Sequence, residues 1–127
     1  MVLISTALHA QIVEEFHLHF TRQQKVKALA DRREVQARDV FDLGIVLIPR
    51  VGGRSEELRS VRPSLEEAMN RAMTLTYAEY KAQVVAYLHP DHAEPLGSSE
   101  AWEAMQLQVV EFLDKAIARE RGRGHGR

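Results

Sequence analysis

The sequence contains no cysteine, only four prolines and few aromatic residues, which make up 6% of its 127 residues. The lack of cysteine excludes a disulfide scaffold, a thiolate zinc site and a cysteine nucleophile. No apolar run approaches the roughly 20 residues that a membrane helix needs, and the first residues lack the basic start of a signal peptide. We therefore expect a cytoplasmic protein that does not engage a membrane.

The charge is balanced in number but not in position. The chain has 17 Lys and Arg against 18 Asp and Glu, for a formal net charge of -1, yet four arginines and one glutamate fall in residues 119–127. Glycine at every second position after Arg121 disfavours a helix there. We therefore predict one helical domain over residues 1–120 and a flexible basic tail over 121–127. The tail could contact nucleic-acid phosphates or be a solvated terminus.

The spacing of apolar residues predicts helices in the first half of the chain. A first helix reaches about Phe20, and a second covers roughly Arg22–Ala30. The third segment, Gln36–Ile48, is apolar on nearly all sides, which is typical of a central, buried helix. A strand over Ile45–Ile48 is the competing interpretation, because β-branched residues cluster there.

Capping signals place the helices of the second half. The patterns that start at Ser64 and Thr76 match capping boxes and predict helices over 65–74 and 77–88, with a short helix before them around 55–61. Two prolines predict a loop over 89–97, and a serine then begins a last helix that ends near Arg119. Helices without a convincing strand predict an all-α bundle of five to six helices.

Two acids stand out within the third helix. Asp39 and Asp42 are three residues apart and share a helix face, and Asp42 lies inside the apolar run. A buried carboxylate needs a cation or several donors. The nearby candidates are Lys25, Lys27, Arg32 and Arg38. Such a group of acids and cations can stabilise the fold. It can also serve phosphoryl transfer, in which acids hold Mg²⁺ and lysine steadies phosphate charge.

The segments around these residues resemble a known family. Residues 25–29 read Lys-Val-Lys-Ala-Leu and residues 38–43 read Arg-Asp-Val-Phe-Asp-Leu. They are similar to the paired late motifs, K-x-x-A-L and R-D-x-x-D-L, of the AbiE-type toxin nucleotidyltransferase family. That family joins a polymerase-β-like catalytic domain to a helical C-terminal domain, and it transfers nucleotides from NTPs, with Mg²⁺, onto an acceptor such as RNA. Many members are toxins paired with an antitoxin.

The resemblance implies roles for four residues. Lys25 would contact NTP phosphate, Asp39 would assist catalysis, and Arg38 and Asp42 would support them. Looser similarity extends over roughly residues 24–113, but only the stretch from Lys25 to residue 43 carries specific motifs. These roles are expectations that follow from the resemblance.

The first motif of that family, a Gly-Ser loop followed by two metal-binding acids, is not found upstream of Lys25. Without those carboxylates we expect no metal site within the chain, and Mg²⁺ with NTP only where another chain completes the site. The favoured hypothesis is a helical module that is inactive alone and binds a protein partner or a second copy of itself. The alternatives are a split nucleotidyltransferase subunit that contributes Lys25 and Asp39, and a weak nucleic-acid binder that uses its arginine-rich tail.

Overall fold

The computed structural model describes residues 21–47 and 55–125, and in these ranges the protein is all-α with no strand. The predicted fold class is confirmed. The first helix of the sequence prediction, which ends at Phe20, lies outside the described residues. The α-helices of the described ranges are α1 (Arg22–Asp31), α2 (Ala37–Phe41), α3 (Leu65–Thr74), α4 (Tyr77–Gln83), α5 (Pro90–Leu96) and α6 (Ser99–His125).

Three less regular helical segments connect these helices. α2 passes directly into a π-helical segment, Asp42–Leu47. A 3₁₀ segment, Ser55–Ser64, precedes α3 and is kinked at Val61, and a short 3₁₀ turn, Val85–Tyr87, follows α4. None of the described helices is both long enough and apolar enough to cross a membrane.

The start of α1 follows from local sequence. Thr21 is extended and its hydroxyl accepts a hydrogen bond from the backbone N–H of Gln24, whose side chain accepts one from the N–H of Thr21. This reciprocal pair satisfies two amides that the first turn leaves without helical partners. The helix then buries Val26 and Leu29. The prediction of a helix over roughly Arg22–Ala30 is confirmed.

The core lies where α3 packs against both α6 and α1. α3 and α6 run antiparallel. Gln106 in the first half of α6 donates to the carbonyl of Ala72 near the end of α3, whereas Arg121 near the end of α6 pairs with Glu66 near the start of α3. Apolar residues at helical spacing form an inner stripe along α6, which is buried apart from one partly buried phenylalanine. Its buried members are Trp102, Met105, Val109, Leu113 and Ile117.

Residues 42–45 of this continuation of α2 are buried, as the all-round apolar sequence predicts, and the segment is helical rather than extended through Leu47. Ile48, at which both the helix and the strand interpretation end, lies outside the described residues. Gly44 allows this segment to approach α6 closely. A Cβ atom at this position would lie 2.7 Å from Cγ of Met105 and 3.3 Å from Cγ2 of Val109. The glycine is therefore required by packing rather than by backbone conformation.

The helix predicted over 65–74 is confirmed as α3, whereas its predicted cap and two other predicted boundaries are wrong. Ser64 precedes α3, but its side chain makes no capping hydrogen bond, because its backbone already has helical φ and ψ at the end of the 3₁₀ segment. The loop predicted over 89–97 is largely α5: Pro90 occupies the first turn, where a missing N–H costs nothing, and the ring of His89 accepts from the N–H of Asp91. The helix predicted over 77–88 ends at Gln83.

The last helix is longer than predicted. It extends beyond Arg119 to His125 and so includes most of the basic tail. Arg121 pairs with Glu66 of α3, and Glu120 is buried. A glycine lowers helix stability by only about 1 kcal/mol, which such tertiary contacts can offset. Whether residues 121–127 act as a flexible tail stays a prediction.

Candidate functional site

The four residues singled out in the sequence meet in one cluster between α1 and α2. Lys25 of α1 extends its ammonium group between two carboxylates. Its Nζ atom donates to Oδ1 of Asp39 at 3.2 Å and lies 2.7 Å from Oδ2 of Asp42. The lysine side chain is 6% exposed, and the two aspartates are 0% and 2% exposed. The prediction that the two acids share one helix face is confirmed, because both reach the same ammonium group.

Two arginines close the cluster from its solvent side. Arg32 donates from Nε to Oδ2 of Asp39 at 2.6 Å and from Nη2 to Oδ1 at 3.3 Å. Arg38, one helical turn before Asp42, places Nε 3.6 Å from Oδ1 of that residue. The exposed fractions of the two arginine side chains are 45% and 36%. The cluster therefore has a dry interior and a charged rim, and its three cations exceed its two carboxylates by one positive charge.

Burial and pairing have opposite effects on the pKa of Asp42. Burial raises the pKa of Asp42, because the ionised form loses its hydration, and Lys25 and then Arg38 partly offset this effect. The net direction is upward. For Arg32, the hydrogen bond to Asp39 raises the pKa further above its already high value, so the guanidinium remains charged. Burial therefore outweighs the two cations in its effect on the pKa of Asp42.

The connection from α1 to α2 is held at both of its ends. The guanidinium of Arg71 on α3 donates to the carbonyl of Arg32, where α1 ends. The side-chain carbonyl of Gln83 on α4 accepts from the N–H of Ala37 at 2.6 Å, where α2 begins. Since α2 starts without a capping side chain of its own, Gln83 supplies that cap from another helix. These tethers fix the exposed connection relative to the cluster.

An open depression of about 480 Å³ lies over this connection. It is lined by Arg32, Arg33, Glu34, Gln36 and Arg38. Two of these arginines are those that close the ion cluster. The buried carboxylates therefore orient basic side chains at the edge of a concave surface, which is an arrangement suited to an anionic ligand.

The cluster does not fit a magnesium site as it stands. Mg²⁺ prefers carboxylate and water oxygens, but Asp39 and Asp42 already contact three cationic side chains. Among the residues that the structure describes, no three acids or histidines are grouped closely enough to hold a metal ion. No catalytic step through a metal is therefore assigned to these residues.

The sequence located four members of the site and missed three. It named Lys25, Arg38, Asp39 and Asp42, and all four are brought together. The sequence indicates Arg32 only as a possible partner of Asp42, whereas in the structure Arg32 pairs with Asp39. Arg33, Arg71 and Gln83 carried no signal, because their positions depend on how α1, α3 and α4 pack.

Comparisons of the chain with models of protein families, with curated proteins and with solved structures find no match.

Proposed function

We propose that the described helices form the helical module of a nucleotidyltransferase of the AbiE type, which acts beside a catalytic segment and is inactive without it. The observation that carries this proposal is the convergence of the two motif segments. Lys25 and Asp39 are 14 residues apart in sequence, yet their charged groups meet at 3.2 Å in a nearly dry cluster. A pair of motifs that forms one site is what the resemblance implies.

The charge balance of the cluster supports a positioning role for its acids. Asp39 is fully buried and is neutralised by Lys25 and Arg32, so it lacks the spare negative charge that a metal ligand needs. Its geometric effect is to orient the exposed guanidinium of Arg32 and to join α1 to α2. On this proposal the metal-binding acids come from the catalytic segment, and the module presents its basic rim to that segment.

The alternative is that Lys25 and Asp39 act directly in an NTP and Mg²⁺ site that another chain completes. Their close approach favours this alternative as well. It requires the cluster to open, because Nζ of Lys25 is held between two carboxylates. The two proposals differ in what Lys25 does: in the first it stabilises the module, and in the second it contacts substrate.

The test is reconstitution with labelled nucleotide. A tagged form of the chain is purified from its source cells together with any bound protein, and incorporation into RNA is measured with Mg²⁺ and each NTP. We expect the chain alone to be inactive. We also expect an active complex whose other component carries a Gly-Ser loop followed by two acids. Capture of a protein without that motif counts against the proposal.

Matched variants tie the activity to the cluster. Asp39→Asn in the complex should lower incorporation at least tenfold, whereas Asp31→Asn, an exposed acid at the end of α1, should leave it within about twofold. Because Asp39 is buried, thermal unfolding is measured in parallel and activity is compared where both variants are folded. Robust Mg²⁺-dependent incorporation by the chain alone, abolished by Asp39→Ala, would overturn the proposal in favour of direct catalysis.

A further inference from the structure

We infer that the depression between α1 and α2 binds the phosphate chain of a nucleotide, with Arg32, Arg33 and Arg38 as its ligands. This inference deepens the proposed function and depends on it for the identity of the ligand as a nucleotide. The binding of a phosphate chain itself follows from the charge, orientation and rigidity of the described residues.

The charge of the depression favours an anion. Three guanidinium groups and one carboxylate, that of Glu34, line it. The planar fork of a guanidinium matches the spacing of phosphate oxygens, so that each arginine can donate two parallel hydrogen bonds. A concave site of about 480 Å³ suits a small polyanion with several phosphates.

The orientation of Arg32 prepares it for a ligand. A guanidinium carries five N–H groups, and the bonds from Nε and Nη2 to Asp39 use one edge of it. The side chain is 45% exposed while its carboxylate partner is fully buried. Asp39 therefore fixes one edge of the Arg32 guanidinium, in a side chain that also lines the depression.

Lys25 is poorly placed to contact phosphate, although the resemblance implies that role for it. Its side chain is 6% exposed, and its ammonium group lies between two carboxylates. Arg33, by contrast, is exposed and lines the depression. The arginine rim thus supplies the phosphate contact, and Lys25 maintains the acids that orient the rim.

The rigidity of the connection lowers the cost of binding. Loops that become ordered around a ligand lose conformational entropy, and this loss subtracts from affinity. Here Arg71 holds the carbonyl of Arg32, and Gln83 holds the N–H of Ala37. The segment that carries the arginines is therefore tethered on both sides before a ligand arrives.

The experiment is a calorimetric titration of the full chain at about 150 mM salt, a concentration that screens long-range attraction between exposed charges. The probes are inorganic tripolyphosphate, a nucleoside triphosphate, inorganic phosphate and a single-stranded RNA oligomer. We expect saturable binding of the first two with similar affinity and weaker binding of phosphate. Loss of all saturable binding would overturn the inference, and so would binding of the RNA oligomer alone.

Two arginine variants test where the ligand binds. Arg33→Gln should weaken tripolyphosphate binding by roughly threefold to tenfold, the range expected for one exposed charge contact. Arg59→Gln, which removes an exposed charge from the 3₁₀ segment before α3, should change it less than about twofold. Equal losses in both variants would indicate general attraction between charges and would overturn the inference.

The outcomes separate this inference from the proposed function. An active complex whose isolated module does not bind tripolyphosphate would refute the arginine site alone. Saturable tripolyphosphate binding that depends on Arg33, together with a purification from source cells that recovers no catalytic partner and no incorporation activity, would refute the nucleotidyltransferase assignment and keep the phosphate site. If tripolyphosphate binds and the nucleoside triphosphate does not, the ligand is not a nucleotide.

Discussion

Replacement of Lys25 by methionine is the sharpest perturbation of the ion cluster. Methionine preserves much of the apolar stem of lysine and removes the ammonium group that lies 3.2 Å from Asp39 and 2.7 Å from Asp42. Loss of one partner from a buried ion pair costs about 3–5 kcal/mol, because the remaining charge stays buried without full compensation. Asp39 keeps two bonds from Arg32, so the loss is concentrated at Asp42.

The retained contacts place the expected cost at the lower end of that range. Asp42 keeps only Arg38, at 3.6 Å and with a side chain that is 36% exposed. We therefore expect Lys25→Met to lower the free energy of unfolding by about 3 kcal/mol. For a chain of this size, that corresponds to a decrease in Tm of roughly 10–15 °C. Urea denaturation followed by circular dichroism measures the first quantity, and a thermal scan measures the second.

The same helix provides a matched control. Lys27 pairs with Asp31 at 2.8 Å, but their side chains are 64% and 53% exposed. An exposed pair at this spacing contributes about 0.3–0.5 kcal/mol, so Lys27→Met should have almost no effect on stability. The two substitutions are chemically identical and the ion-pair distances are nearly equal. The difference between them therefore reports the burial of Lys25 together with its second carboxylate partner.

A double variant tests whether the cost arises at Asp42. In Lys25→Met with Asp42→Asn, the carboxylate left behind by the first change is neutralised, so we expect the pair to be more stable than Lys25→Met alone by about 1–2 kcal/mol. Strictly additive effects, or a cost for Lys25→Met as small as that for Lys27→Met, would refute the reasoning that a dry, coupled ion cluster joins α1 to α2.

Three further predictions concern the pH dependence of stability, the packing of a glycine and a set of hydrogen bonds between helices. Because burial raises the pKa of Asp42, the folded state binds its proton more readily than the unfolded state. The contribution of this group to stability therefore rises as pH falls from the raised pKa toward the ordinary value near 4. In urea titrations from pH 7 to pH 4, the unfolding free energy of the native chain should increase relative to that of Asp42→Asn. Gly44→Ala should lower the unfolding free energy by about 1–3 kcal/mol through overpacking against Met105, whereas Gly122→Ala, with no atom within 4 Å of the new Cβ, should raise it by about 0.5–1 kcal/mol; equal effects would contradict the packing argument. Gln106→Ala removes hydrogen bonds to three carbonyls at the end of α3 and should lower Tm by several degrees, which a thermal scan would show.

Local chemistry explains which element boundaries the sequence could predict. Thr76 forms the predicted capping box with Glu79, because both partners lie within one turn and the preceding backbone is extended. Ser64 has the same pattern and does not cap, because the 3₁₀ segment before it already places its backbone in a helical conformation. The prolines at 90 and 95 predict a loop, yet Pro90 occupies the first turn of α5, which is the helical turn that tolerates proline. The conformation of the neighbouring backbone therefore determines whether a capping or proline pattern has its usual effect on a helix end.

The all-α class, the burial of Asp42 and the position of its two acids on one helix face follow from helical spacing and apolar content, which are properties of consecutive residues. Which cation pairs with which acid depends on tertiary packing. Lys25 lies between both acids, Arg32 takes Asp39, and Lys27 faces solvent. The tethers from Arg71 and Gln83, and the arginine-lined depression that they hold, likewise depend on the packing of helices that are distant in sequence. Charge and spacing specify candidates for a site, but distance and desolvation select among them.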